Sequence, residues 1–175
     1  MSERRKRFFI RAIIVIFILA GLSYTAYRFF AVKPSAAVGD RAPDIQLTNI
    51  NGERVNLKDW RGKRVMINFW ASWCGPCKKE MPAINDVYEK IKHRDDVAIL
   101  EVNVEESRET VKDYLKKMAP NFPVLLDSKG KAKDTYGVSG LPTTFFVDPK
   151  GKIVEKVLGP MDAETIKHKL LATRQ

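Results

Sequence analysis

Apolar residues fall into one long block and several short runs, with polar stretches between them. The block runs from Phe8 to Phe30 and carries only Arg11 and Arg28 as charges. Downstream, Ile45-Gln46-Leu47 and Arg54 to Leu57 flank Asn51-Gly52, the signature of a β-hairpin. Val65 to Ala71 is a mostly apolar run bounded by polar residues, which predicts a strand buried on both faces. Pro76 to about Lys92 has helical spacing, with Pro82 expected to kink it. Val97 to Val104 predicts a second buried strand, and Ser107 is placed to cap a helix reaching Met118. A short strand at Pro123–Leu126 precedes a brief helix at Lys131–Tyr136, stopped by Gly137. Thr143–Asp148 and Lys152–Leu158 flank Pro149-Lys150-Gly151 as a second hairpin, and Asp162 caps a last helix to about Ala172. Strands alternating with helices, closed by a hairpin and a helix, predict an α/β domain: a mixed central sheet with helices on both faces.

Charge changes the reading of the first block. The 175 residues carry a formal net charge of +10. Seven basic side chains and one acid, or +6, lie in residues 1–35, and the other 140 residues contribute +4. Most of the excess is terminal, which argues against a basic nucleic-acid-binding face on the folded domain. Arg4, Arg5, Lys6, Arg7 and Arg11 precede or open the block, whereas Arg28 and Lys33 follow it. Sixteen uncharged residues between Arg11 and Arg28 make about 24 Å of helix, and snorkelling of both arginines lengthens the usable span. Tyr24, Tyr27, Phe29 and Phe30 sit where an interfacial aromatic belt is expected. The pattern predicts a cytoplasmic basic segment at 1–7, a single transmembrane signal-anchor helix at 8–30, a linker at 31–37 and an extracytoplasmic domain at 38–175. A cleaved signal peptide shares this layout, but cuts after Gly21 or Ala26 place Leu19 or Tyr24 where a small residue is needed, and cuts after Thr25 or Ala37 are poorly placed. Both readings put the domain outside the cytoplasm.

The candidate chemistry lies in Trp73-Cys74-Gly75-Pro76-Cys77, where a buried strand turns into a helix. These are the chain's two cysteines, so no disulfide framework is possible. A helix N-terminus places unpaired N–H groups and the positive dipole end beside Cys74, which favours its thiolate. Cys77 lies one turn inward and better shielded. The pair suits thiol–disulfide exchange: the outer sulfur attacks a substrate disulfide, and the inner sulfur resolves the mixed disulfide. A zinc site lacks a second ligand pair, because His93 and His168 are lone residues in basic helical stretches; no metal or cofactor is expected. A purely structural role is poorly motivated, since a four-residue ring constrains little of the unfolded chain.

Two segments resemble the thioredoxin-like superfamily: Phe69 to Cys77 (FWASWCGPC) and Tyr136 to Thr144 (YGVSGLPTT). The resemblance implies a thioredoxin fold, a cis peptide before Pro142, and a substrate-binding surface formed by Trp73, Leu141 and Pro142. The anchor, the Ala42-Pro43-Asp44 opening, the N-terminal hairpin as an extension and Lys78-Lys79-Glu80-Met81-Pro82 after Cys77 resemble the extracytoplasmic TlpA/ResA-type branch, closest to ResA-type proteins. That branch implies reduction of the disulfide in the Cys-x-x-Cys-His haem-binding motif of apocytochrome c, with electrons from a CcdA-type membrane protein. It also implies that Glu80 tunes the thiols; Glu80, at (i, i+3) from Cys77, is expected to accept or relay the Cys77 proton. Asn68 holds the place of the buried aspartate of cytosolic thioredoxins. Trp70 is expected in the core, and Trp60 as packing in its loop.

The chain departs from the branch at Gly75-Pro76, a thioredoxin dipeptide where ResA relatives carry Glu before the proline. Thr143 departs from the Glu typical of Gram-negative cytochrome-maturation thioredoxins. The main alternatives are therefore a general extracytoplasmic reductase or isomerase acting on sporulation or envelope substrates, or an oxidase. A peroxiredoxin needs Thr and Pro where Ala71 and Ile67 stand. A non-catalytic binding module leaves the intact cysteine pair without a role.

Overall fold

The computed structural model describes residues 3–30 and 36–172, and within 3–30 the side chains of Arg7, Arg11 and residues 13–25. The chain divides into two compact units, Met1–Pro34 and Ser35–Gln175. The first is the helix α1, Glu3–Phe30, whose described apolar side chains between Ile13 and Tyr24 are exposed. Among the described residues no helix is long and apolar enough to cross a membrane. The expected transmembrane span of residues 8–30 is therefore not seen among the described residues. The outer parts of the expected aromatic belt, and residues 31–35 of the linker, lie outside what is described.

The second unit is built on a seven-stranded sheet in the order β2-β1-β5-β4-β3-β6-β7. The strands are β1 (Gln46–Asn49), β2 (Arg54–Asn56), β3 (Arg64–Trp70), β4 (Val97–Val104), β5 (Val124–Asp127), β6 (Thr143–Val147) and β7 (Ile153–Leu158). β3, β4 and β5 run parallel, whereas β6, β7 and the β1–β2 hairpin are antiparallel to their neighbours, so the sheet is mixed. The continuous apolar runs of β3 and β4 lie at the centre, where both faces are covered and all eight residues of β4 are buried. The Asn51-Gly52 hairpin forms with a longer turn than two residues: Asn49 Oδ1 accepts from the amides of both Asn51 and Glu53, and Gly52 takes a φ of +94°. The hairpin docks on β5 rather than standing apart.

Helices α2 (Gly75–Ile91), α3 (Arg108–Met118), α4 (Lys131–Tyr136) and α5 (Ala163–Ala172) complete the unit. Alternation along β3 sorts the two faces. Trp70 stacks toward Tyr114 of α3, with ring centroids 5.6 Å apart, while its neighbour Phe69 meets Tyr136 of α4 at 5.3 Å. Crossovers from β3 through α2 to β4 and on through α3 to β5 progress in one direction, and the return through α4 to β6 reverses it, so α4 lies on the opposite face. The Tyr136 hydroxyl donates to the Pro43 carbonyl at 2.9 Å, tying the Ala42-Pro43-Asp44 opening to that face. Asp162 caps α5 by accepting the Thr165 amide at 2.7 Å, and Ser107 caps α3 through Thr110 at 3.1 Å. Pro82 lies inside α2 and leaves the Lys78 carbonyl without its usual i+4 donor.

Candidate active site

The end of β3 leads through Ala71, Ser72 and Trp73 into α2, and Cys74 is the residue that caps the helix. Its φ and ψ of −78° and 109° keep it outside the helical region, so its side chain folds back over the first turn. Cys74 Sγ accepts the Cys77 amide at 3.2 Å, and Pro76 sits in the first turn, where a missing N–H costs nothing. Cys74 and Cys77 form a disulfide, with Cα atoms 5.3 Å apart. Both sulfurs are largely shielded, Cys77 more than Cys74, while Trp73 beside them is 67% exposed.

An open groove of about 420 Å³ runs past the pair. One side is formed by Trp73, Cys74 and Pro76, and the other by Val138 and Leu141. The Leu141–Pro142 peptide is cis, as the resemblance implies. Pro142 is buried; Leu141 is half-buried and lines the groove. The structure thus brings Trp73, Cys74 and Leu141 to one groove, with Cys77 and Pro142 just behind it. The sequence reading missed the floor and rim: Val104 and the Glu105–Lys133 ion pair, whose Nζ lies 3.0 Å from both carboxylate oxygens. Glu105 has a φ of 58°, and that left-handed turn at the end of β4 aims its side chain at Lys133. Leu158, in register with Thr143 after the cis peptide, is a further exposed apolar residue.

Behind the disulfide the site is polar and buried. Glu80 is 2% exposed; its Oε1 accepts the Met161 amide at 2.9 Å and its Oε2 accepts Asn68 Nδ2 at 3.2 Å. Burial pushes its carboxyl above the usual range, and the two donors pull it partway back. Asn68 is in register with Glu101 on β4 and Thr144 on β6, so the three side chains form a polar row across the sheet. Glu101 is fully buried, and burial raises its carboxyl strongly, with the charge of Glu80 as a lesser cause. A second acid, Glu106, accepts from the Ser72 amide at 2.7 Å, the Ser72 hydroxyl and Asn103 Nδ2 at 2.6 Å, which ties the turn before Cys74 to the end of β4. Glu101 and Glu106 escaped the sequence reading; for Glu101 a charge inside the run Val97–Val104 was the available signal.

The remaining expectations fall elsewhere. Trp70 is fully buried in the core, and Trp60 is half-buried in a 3₁₀ turn (Leu57–Trp60) under the Lys63 ammonium. His93 and His168 are exposed, and among the described residues no cluster of three His, Cys, Asp or Glu side chains is placed to hold a metal.

A mixed sheet of this order, a helix capped by the first cysteine of a C-x-x-C disulfide and a cis-proline loop beside it define a thioredoxin-fold thiol-disulfide oxidoreductase. Known proteins agree. The AhpC/TSA family model matches residues 38–156. The thiol-disulfide oxidoreductase ResA of Geobacillus thermodenitrificans is 40% identical over 169 residues, 96% of this chain and 97% of the relative. The ResA protein of Bacillus subtilis is 42% identical over 165 residues, 94% and 92% of the two chains. The crystal structure of StoA from Bacillus subtilis superposes with a TM-score of 0.65 at 32% identity, over 73% of this chain and 96% of that one. The chain belongs to the AhpC/TSA thioredoxin-like family, among its ResA-type thiol-disulfide oxidoreductases.

Proposed function

We propose that the protein is a membrane-anchored reductase of disulfides in exported proteins, with oxidised apocytochrome c as its substrate. The observation that carries the reading is the Cys74–Cys77 disulfide, held at the N-terminus of α2 beside the Trp73–Leu141 groove. In the reduced protein the Cys74 thiolate attacks one sulfur of the substrate disulfide, whose S–S bond breaks as the Cys74–substrate bond forms. The Cys77 amide N–H and the helix end stabilise that thiolate before attack. Cys77 then gives its proton to Glu80, one turn further along the helix, and its thiolate attacks Cys74 Sγ. The substrate leaves as a dithiol after taking up protons, and the protein is left as the disulfide seen here. Trp73 and Leu141 hold the substrate chain in the groove, with Pro142 shaping the loop.

Each turnover consumes two electrons, so a membrane thiol–disulfide donor of the CcdA type must re-reduce the pair. The anchor reading rests on the sixteen uncharged residues between Arg11 and Arg28, on the basic segment before them, and on the exposed apolar side chains of α1. By that reading residues 1–7 stay in the cytoplasm and the catalytic domain lies outside. The names of the relatives, thiol-disulfide oxidoreductases ResA, support the redox activity.

Trapping tests the proposal. In the anchored C77S variant the mixed disulfide on Cys74 cannot be resolved, so its partners remain attached. Recovery of apocytochrome c, together with a CcdA-like protein, is the expected result. A broad set of unrelated exported proteins, as the uncharged Gly75-Pro76 dipeptide would allow, replaces this substrate with a general reductase or isomerase.

A further inference from the structure

Glu101 has no part in the chemistry above, yet it is the most completely buried acid of the second unit. Neither of its carboxylate oxygens has a hydrogen-bond partner, and the neighbouring Asn68 Oδ1 also lacks one. The two residues are paired in register on adjacent parallel strands, so their side chains lie side by side on one face of the sheet. That face is covered by α2, from which Glu80 reaches Asn68 Nδ2. The Asn68 amide is thus bonded at its nitrogen end and unsatisfied at its oxygen end. Three buried acceptor oxygens that take no hydrogen bond from any protein group are an arrangement that an ionised Glu101 makes worse and a protonated one repairs. The Thr144 hydroxyl, in register on the other side of Asn68, is itself without a partner and does not supply the donor.

We propose that Glu101 is a positioning residue: as a neutral carboxylic acid its O–H donates to Asn68 Oδ1, fixing the amide with its NH2 group on Glu80. Without that donor the amide is free to turn over and set an oxygen against Glu80. The surroundings fit a neutral acid. β5 places Val124 in register with Glu101. From α2 the titratable groups are Glu80 and, one turn earlier, Cys77. Glu80 is the one charged group among the described residues that bears on Glu101, and a like charge reinforces the neutral form. The two acids then behave as a coupled pair in which Glu80 ionises first and Glu101 keeps its proton.

This inference rests on the reading of Glu80 as the acid that serves Cys77, and its test keeps the two separable. The reduced full-length protein in detergent micelles is alkylated with iodoacetamide across a pH series, alongside E80Q, E101L, E101Q and the double variant E80Q/E101L. E101L is expected to raise the Glu80-dependent inflection by about one pH unit, a tenfold loss of rate on its acid side. E101Q, whose amide can still donate to Asn68 Oδ1, restores the wild-type profile, and E101L changes nothing further in the E80Q background. Unfolding midpoints of the same variants separate a packing defect, which would not discriminate Gln from Leu by pH. An unmoved inflection in E101L, or the same shift in the E80Q background, overturns the inference and leaves the Glu80 reading standing. A wild-type profile in E80Q overturns both.

Discussion

Two buried acids close to each other in the chain have opposite surroundings. Glu106, just past β4, receives three donors: the Ser72 amide, the Ser72 hydroxyl and Asn103 Nδ2. Glu101, inside β4, receives none. A carboxylate surrounded by donors is a fastener, and here it pins the turn that delivers Cys74. A carboxyl group deprived of donors in the core is costly as an anion and persists as a neutral acid, a donor itself. Burial alone therefore does not distinguish a structural acid from one that sets the protonation of its neighbours; the count of donors around it does.

The comparison is most exposed to E106A. Removing this acceptor strands the Ser72 and Asn103 donors, so thermal unfolding is expected to show a loss of about 3 kcal/mol, with slower disulfide exchange because Ser72 sits two residues before Cys74. Next in size is E80Q, which in the proposed mechanism removes the group that takes the Cys77 proton. Stopped-flow reduction of a disulfide peptide should slow about a hundredfold at the resolving step, while the first attack by Cys74 is little changed.

E101L sharpens the contrast through pH: leucine gives up the O–H that donates to Asn68 Oδ1 but carries no carboxyl that must stay protonated, so its stability relative to wild type should rise with pH. The folded-state carboxyl of Glu101 lies well above its ordinary value, so the unfolded chain ionises first as pH increases. Wild-type stability accordingly falls as pH rises above roughly 4.3, by up to about 1.4 kcal/mol per pH unit, until the folded carboxyl itself ionises. Denaturant titrations should show E101L gaining on wild type with pH over that window. If the difference is constant with pH, Glu101 is ionised in the folded protein and the contrast with Glu106 fails. The smallest effect belongs to the groove rim: K133A breaks the half-exposed pair with Glu105, and its stability should change by less than about 1 kcal/mol. Its binding of an acidic disulfide peptide should weaken, by calorimetry, more than its binding of a neutral one.

The parts of the site that lie within one local segment were legible in the chain. Cys74, Cys77 and Glu80 follow from helical spacing after a buried strand, and the Gly140-Leu141-Pro142 segment marks a turn whose cis bond the family resemblance implied. The strands could be read because β3 and β4 are covered on both faces and their apolar runs are unbroken but for single polar residues. What could not be read depends on register. That Asn68 faces Glu101 and Thr144 is a property of three strands paired across gaps of tens of residues. The docking of the β1–β2 hairpin on β5 is equally non-local, as is the Glu105–Lys133 rim, which needs a left-handed residue at the strand end. Nothing local to position 101 tells that Asn68 and Glu80 lie beside its carboxyl.

The central claim is that the Cys74–Cys77 pair is a reductant, and its equilibrium potential tests that most directly. The full-length protein is equilibrated with thiol–disulfide buffers of graded ratio, quenched with acid, and the fraction of oxidised pair is read by alkylation mass shift. The account predicts a potential at or below that of thioredoxin, about −270 mV, so that electrons flow from the pair to a substrate disulfide. A value near that of a strong oxidant, about −120 mV, would reverse the direction of flow and contradict it.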